Sequence, residues 1–173
     1  MKSTLTKDLF AKSKDYARHI VNQLNICKQP YLTVQHLGDR LTKAGFTHLS
    51  EAEPNWKLEG GKSYFFSRNG STLVAFTIGS KCCCTHLPEC FKIIGAHTDS
   101  PVLKFAPHSK LKGYGFEQVA TQIYGGGLWH TWFDRDLGVA GRVIVKTPEG
   151  TLESRIYDSK RAILRIPNLA IHL

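Results

Sequence analysis

Apolar residues between positions 12 and 27 recur at spacings of three and four: Tyr16, Ala17, Ile20, Val21 and Leu24. That spacing places them on one stripe of an α-helix, and Pro30 prevents the helix from running on. A second helix is expected over residues 33–45, with Thr33 as its N-cap and Gly45 as its stop. After Pro54 the period changes. Two β-rich runs, residues 63–68 and 71–78, flank Asn69-Gly70, which predicts a hairpin closed by a two-residue turn. Residues 91–96 are apolar almost throughout, as a strand buried on both faces should be. Beyond Pro101 the pattern is mostly β. Residues 118–124 form a strand that Gly125-Gly126-Gly127 breaks. Residues 139–146 and 151–157 form a hairpin across Thr147-Pro148-Glu149-Gly150. A last short strand over 162–166 precedes Pro167.

Two helices followed by paired strands with one fully apolar strand indicate an α/β layer structure. A chain of 173 residues is long enough for one domain, able to bury about 70% of its unfolded surface. No apolar run approaches the roughly 20 residues of a membrane helix, so no membrane partner is expected. The N-terminus lacks the apolar core of a secretory signal. With that, five cysteines, an odd number, point to reduced thiols and a cytoplasmic setting. The net charge of +9 raises nucleic acid as a partner. The basic residues are scattered, however, and the densest group, Lys104, His108, Lys110 and Lys112, forms no periodic face. The expectation is no nucleic acid. Excess positive charge also suits a chain that is part of something larger. Residues 168–173 start like a helix and stop without a cap, so the end reads as cut.

The chemistry concentrates at Ile93-Ile94-Gly95-Ala96-His97-Thr98-Asp99-Ser100-Pro101. An imidazole at a strand tip is a good zinc ligand, and a nearby carboxylate can fix its tautomer. Read alone, such a histidine is more often a structural hydrogen-bonding residue than a metal ligand, and catalytic zinc wants three protein ligands. Cys82, Cys84, His86 and Cys90 offer a rival set, but their compact spacing is unlike the paired clips of structural zinc sites; they read better as exposed thiols. Gly125-Gly126-Gly127 lacks the Lys-Ser/Thr of a phosphate loop and reads as a tight turn under an aromatic cluster of Tyr124, Leu128, Trp129, Trp132 and Phe133. In Asp134-Arg135-Asp136, Arg135 is expected to neutralise its two neighbours. His36 and His48 read as surface or packing residues.

Taken together, several strings resemble the aspartyl aminopeptidase family of cytosolic dinuclear zinc exopeptidases. They are Ser67-Arg68-Asn69-Gly70-Ser71-Thr72, the stretch from Ile94 to Pro101, Gly115-Phe116 with Gln118-Val119, Tyr124-Gly125-Gly126-Gly127, Thr131-Trp132-Phe133-Asp134-Arg135-Asp136-Leu137, Gly141-Arg142-Val143-Ile144-Val145, and Leu164-Arg165-Ile166-Pro167 leading into Leu169-Ala170-Ile171-His172-Leu173. They occur in order along nearly the whole chain.

The resemblance implies His97 as a zinc ligand, Asp99 as the catalytic-site aspartate that orients it, and His172 as a substrate-binding residue reaching a neighbouring subunit's active site. It implies residues 1–101 as the first part of a zinc-exopeptidase-like catalytic α/β domain. Residues 102–173 would be the start of an inserted, β-rich dimerisation domain, incomplete here. The partners implied are a peptide with an N-terminal acidic residue and other copies of the chain in a homo-oligomer. Family members are more than twice as long, and the remaining zinc ligands and the general-base glutamate lie beyond the strings matched here. The expectation is therefore a truncated and inactive aminopeptidase. A non-catalytic oligomerisation module that joins a full-length relative is the alternative. Two departures stand out: Lys28-Gln29-Pro30-Tyr31-Leu32 replaces a Ser-Pro turn with a histidine, and the Cys82–Cys90 loop has no counterpart.

Overall fold

A computed structural model describes residues 2–80 and 91–168. Contacts divide the chain into two compact units, one of Met1–Asp99 with Gly141–Ile156 and one of Ser100–Ala140 with Tyr157–Leu173.

The first unit opens with α1 (Lys2–Ile26) and α2 (Pro30–Lys43). Helix α1 begins ten residues before the expected start at Lys12, and its apolar stripe is largely open: Tyr16 and Leu24 are exposed. Gln23 ties it to α2, its Oε1 lying 2.8 Å from His36 Nε2. Helix α2 starts three residues earlier than expected. Pro30 occupies its first turn, where the missing N–H is no loss. The cap is Gln29, whose side chain accepts from the Tyr31 amide at 2.7 Å. Thr33 lies inside the first turn, with its hydroxyl donating to the Gln29 carbonyl at 3.0 Å. Gly45, at φ 86°, takes the left-handed conformation that ends the helix.

The chain then forms a three-stranded sheet ordered β1 (Thr47–His48), β2 (Ser63–Arg68), β3 (Thr72–Thr77), with β1 parallel and β3 antiparallel to the central β2. Side chains alternate between the faces of a strand, and both faces of β2 are covered. Phe65 lies under α2, its ring beside Gly38. Tyr64 stacks on Phe76 and accepts from the Glu59 amide, and Phe66 stacks on Trp56. Among the described residues the buried apolar core is Val34, Leu49, Tyr64 and Phe65. The turn has the expected left-handed Asn69 and Gly70 (φ 53° and 65°). The ladder resumes at Arg68↔Thr72, so the loop carries three residues rather than two.

Residues 91–96 are not a strand here. Ile93 and Ile94 are 87% and 98% exposed. A strand exists only as a hydrogen-bonded partner, and no described strand pairs with this segment. Hairpin β7 (Ala140–Lys146) and β8 (Leu152–Asp158) turns as expected. The Thr147 amide donates to the Thr151 carbonyl at 2.8 Å, and Gly150 takes φ 87°.

The second unit is built on a long antiparallel ribbon, β4 (Val102–Gly113) with β5 (Phe116–Tyr124). Strand β4 carries no clean sequence alternation. Its register shifts between Phe105 and Lys110, a stretch containing Pro107, which has no N–H to donate. Past Gly125 (φ 84°) comes a single 3₁₀ turn, Trp129–Trp132. The aromatic cluster expected over the glycines is loose, with Leu128 and Phe133 exposed. Short strands β6 (Asp136–Leu137) and β9 (Leu164–Arg165) pair antiparallel.

Candidate functional site

His97 follows the exposed apolar segment and is itself exposed over 87% of its side chain; that of Asp99 is 15% exposed. His97 Nδ1 lies 3.0 Å from Asp99 Oδ1. An ionised carboxylate can only accept, so Nδ1 carries a proton, and in the neutral ring the Nε2 lone pair is left for another partner. A carboxylate on Nδ1 orients metal-binding histidines in this way, and Nε2 here sits on a ring open to solvent. The fit is to one ligand. Among the described residues no group of three His, Cys, Asp or Glu side chains converges as a metal site would require.

The other candidates fall out differently. His172 and the cysteines from Cys82 to Cys90 lie outside the described residues. Arg135 does not neutralise its neighbours. Its Nη1 approaches the Thr131 carbonyl at 3.5 Å, while Arg165 reaches Asp136 at 3.4 Å and Asp134 at 3.8 Å. Strand register decides this: Asp136 stands opposite Arg165, whereas adjacent residues on an extended chain point apart.

Two arrangements escaped the sequence reading. Arg68 donates from Nε, at 3.1 Å, and from Nη2 to the Glu51 carboxylate. These hydrogen bonds hold the Glu51 carboxyl below its ordinary value. Arg142 Nη1 donates to Asn69 Oδ1 at 2.8 Å. Both contacts join residues too far apart in sequence for spacing to reveal. For the second, the one available signal was that both residues sit in strings shared with one family.

A family model described as Aminopeptidase I zinc metalloprotease (M18) matches residues 23–173. The chain belongs to the M18 aminopeptidase family. It is 48% identical over 158 residues to an aspartyl aminopeptidase of Dictyostelium discoideum, covering 91% of this chain and 32% of that protein. It is 45% identical over 172 residues to the aspartyl aminopeptidase of Aspergillus oryzae, covering 98% and 34%. Among solved structures, Ape4 in a cryo-EM complex with Nbr1 superposes with a TM-score of 0.85 at 44% identity, covering 94% of this chain and 30% of that one. The S. cerevisiae mApe1 dodecamer superposes with a TM-score of 0.77 at 30% identity, covering 91% and 36%. The M18 chain described here thus spans about a third of the length of the curated relatives it matches.

Proposed function

We propose that this M18 chain supplies the first part of an aspartyl aminopeptidase, which hydrolyses the bond after an N-terminal acidic residue. The His97–Asp99 contact carries the reading, since it presents one imidazole nitrogen in the state a metal needs. His97 Nε2 is the ligand atom. Asp99 is a positioning residue that holds the Nδ1 proton. His172 contacts substrate. When bound, a dinuclear zinc centre would supply Lewis acidity and water activation at neutral pH. In the overall reaction water adds to the scissile carbonyl carbon, the C–N bond breaks, and a proton passes to the leaving amine. With one ligand of that centre at hand among the described residues, the 173 residues alone are inactive.

In this reading residues 1–101 belong to the catalytic α/β domain, and 102–173 begin an inserted dimerisation domain. The first break in contacts, at Asp99/Ser100, supports that division; the return of Gly141–Ile156 to the first unit does not follow it. Open apolar residues at the ribbon tip, Tyr114 and Phe116, support assembly with further copies. The same residues favour a second reading, a non-catalytic module that associates with a full-length relative.

The test is a chimera in which these residues replace the matching third of the Dictyostelium enzyme. Chelator-sensitive release of N-terminal aspartate, with zinc lost on His97→Ala, supports the proposal. A folded chimera that is inactive, or whose zinc content is unchanged by His97→Ala, refutes it.

A further inference from the structure

Three stretches far apart in sequence meet at Arg142 in β7. Its Nη1 donates to Asn69 Oδ1 at 2.8 Å, and its guanidinium carbon lies 4.9 Å from the centre of the Tyr31 ring. Tyr31 is in the first turn of α2, fixed there by Gln29. Asn69 begins the β2–β3 turn in the left-handed conformation, φ 53°. The next residue lies along the ring, since a Cβ on Gly70 would stand 3.6 Å from Tyr31 Cδ1. Turn backbone, tyrosine ring and guanidinium therefore make one cluster.

The path of the chain gives this cluster a task. The chain leaves the first unit after Asp99 and returns to it at Gly141, one residue before Arg142. We propose that Arg142 is a latch that fastens the returning β7–β8 hairpin onto the platform made by the start of α2 and the Asn69-Gly70 turn. The first unit is completed by residues from beyond the stretch 100–140.

The chemistry sets the latch's character. Both partners are neutral, an amide oxygen and a ring face, and arginine keeps its charge throughout the working pH range. The flat guanidinium can lie over a ring while one edge N–H reaches sideways to an acceptor; a lysine ammonium cannot do both. The hydrogen bond is exposed, the ring is half-buried, and each contact is individually weak, so the latch opens and recloses without unfolding the unit.

Hydrogen exchange followed by mass spectrometry on the 173-residue protein tests this. Arg142→Lys should speed exchange about threefold or more in residues 28–34 and 66–75 as well as in 141–156, with 100–140 unchanged. Asn69→Asp offers a carboxylate that tolerates positive φ and gives a charge-assisted bond. It should slow exchange in the same three stretches, and salt should weaken that gain. The second variant keeps the test open if substitutions at Arg142 fail to fold. Wild-type exchange in Arg142→Lys, acceleration confined to the hairpin, or no slowing in Asn69→Asp would each overturn the latch.

Discussion

Replacing Asp99 should move a proton on His97. In the wild-type chain the 3.0 Å contact keeps the proton on Nδ1, whereas a free neutral imidazole in water favours Nε2. The ring is 87% exposed, so the bond is worth only about 1 kcal/mol, or about fivefold in tautomer ratio. That suffices to offset the intrinsic preference and shift the balance towards the Nδ1–H form. In Asp99→Ala no acceptor remains, and the Nε2–H form should dominate. Asp99→Asn keeps the shape but loses the charge and should fall between. Long-range proton–nitrogen correlation spectra of ¹⁵N-histidine-labelled protein, at mildly alkaline pH where ordinary imidazoles are neutral, report the tautomer directly. Equal Nε2 protonation in wild type and Asp99→Ala would refute the positioning role of Asp99. Where a zinc centre is assembled, the same substitution should weaken metal affinity by about 10–100-fold.

Phe65→Ala should be among the most damaging single changes in the first unit, because Phe65 is 5% exposed and stacks on His48. A loss of about 3–5 kcal/mol is expected from urea denaturation, and a loss under about 1 kcal/mol would show that α2 does not cover it. Glu51→Gln should show a pH signature. The folded carboxyl lies below its ordinary value of 4.5 because of Arg68, so its contribution is present above that value and is lost as pH falls through the lower, folded one. The melting-temperature advantage of wild type over Glu51→Gln should therefore shrink below pH 4.5, and an advantage constant into stronger acid would contradict it.

Local signals made much of the fold legible. Asn69-Gly70 and Thr147-Pro148-Glu149-Gly150 dictate backbone conformations that few other residues take, so both hairpins were visible in sequence. Gly45 marked a helix end for the same reason. Gln29 is not legible as a cap, because Ser, Thr, Asp and Asn dominate that position. Strand β4 is not legible in the sequence, because Pro107 and its lysines erase the period of two. Residues 91–96 show the converse: their composition states what they can pair with, while pairing itself depends on neighbours that the described residues do not provide. Of the site, His97 and Asp99 were legible because two residues suffice to bring them together. Arg165 and Arg142 were not, since each meets its partners only through strand register or the return of the chain.

Zinc content and aspartyl-peptide hydrolysis of the purified 173-residue chain, with and without chelator, test the central claim most directly. A chain that holds one positioned ligand should retain no stoichiometric zinc and show no chelator-sensitive hydrolysis. Stoichiometric zinc with chelator-sensitive release of aspartate would contradict it, and would mean that these 173 residues build a complete centre.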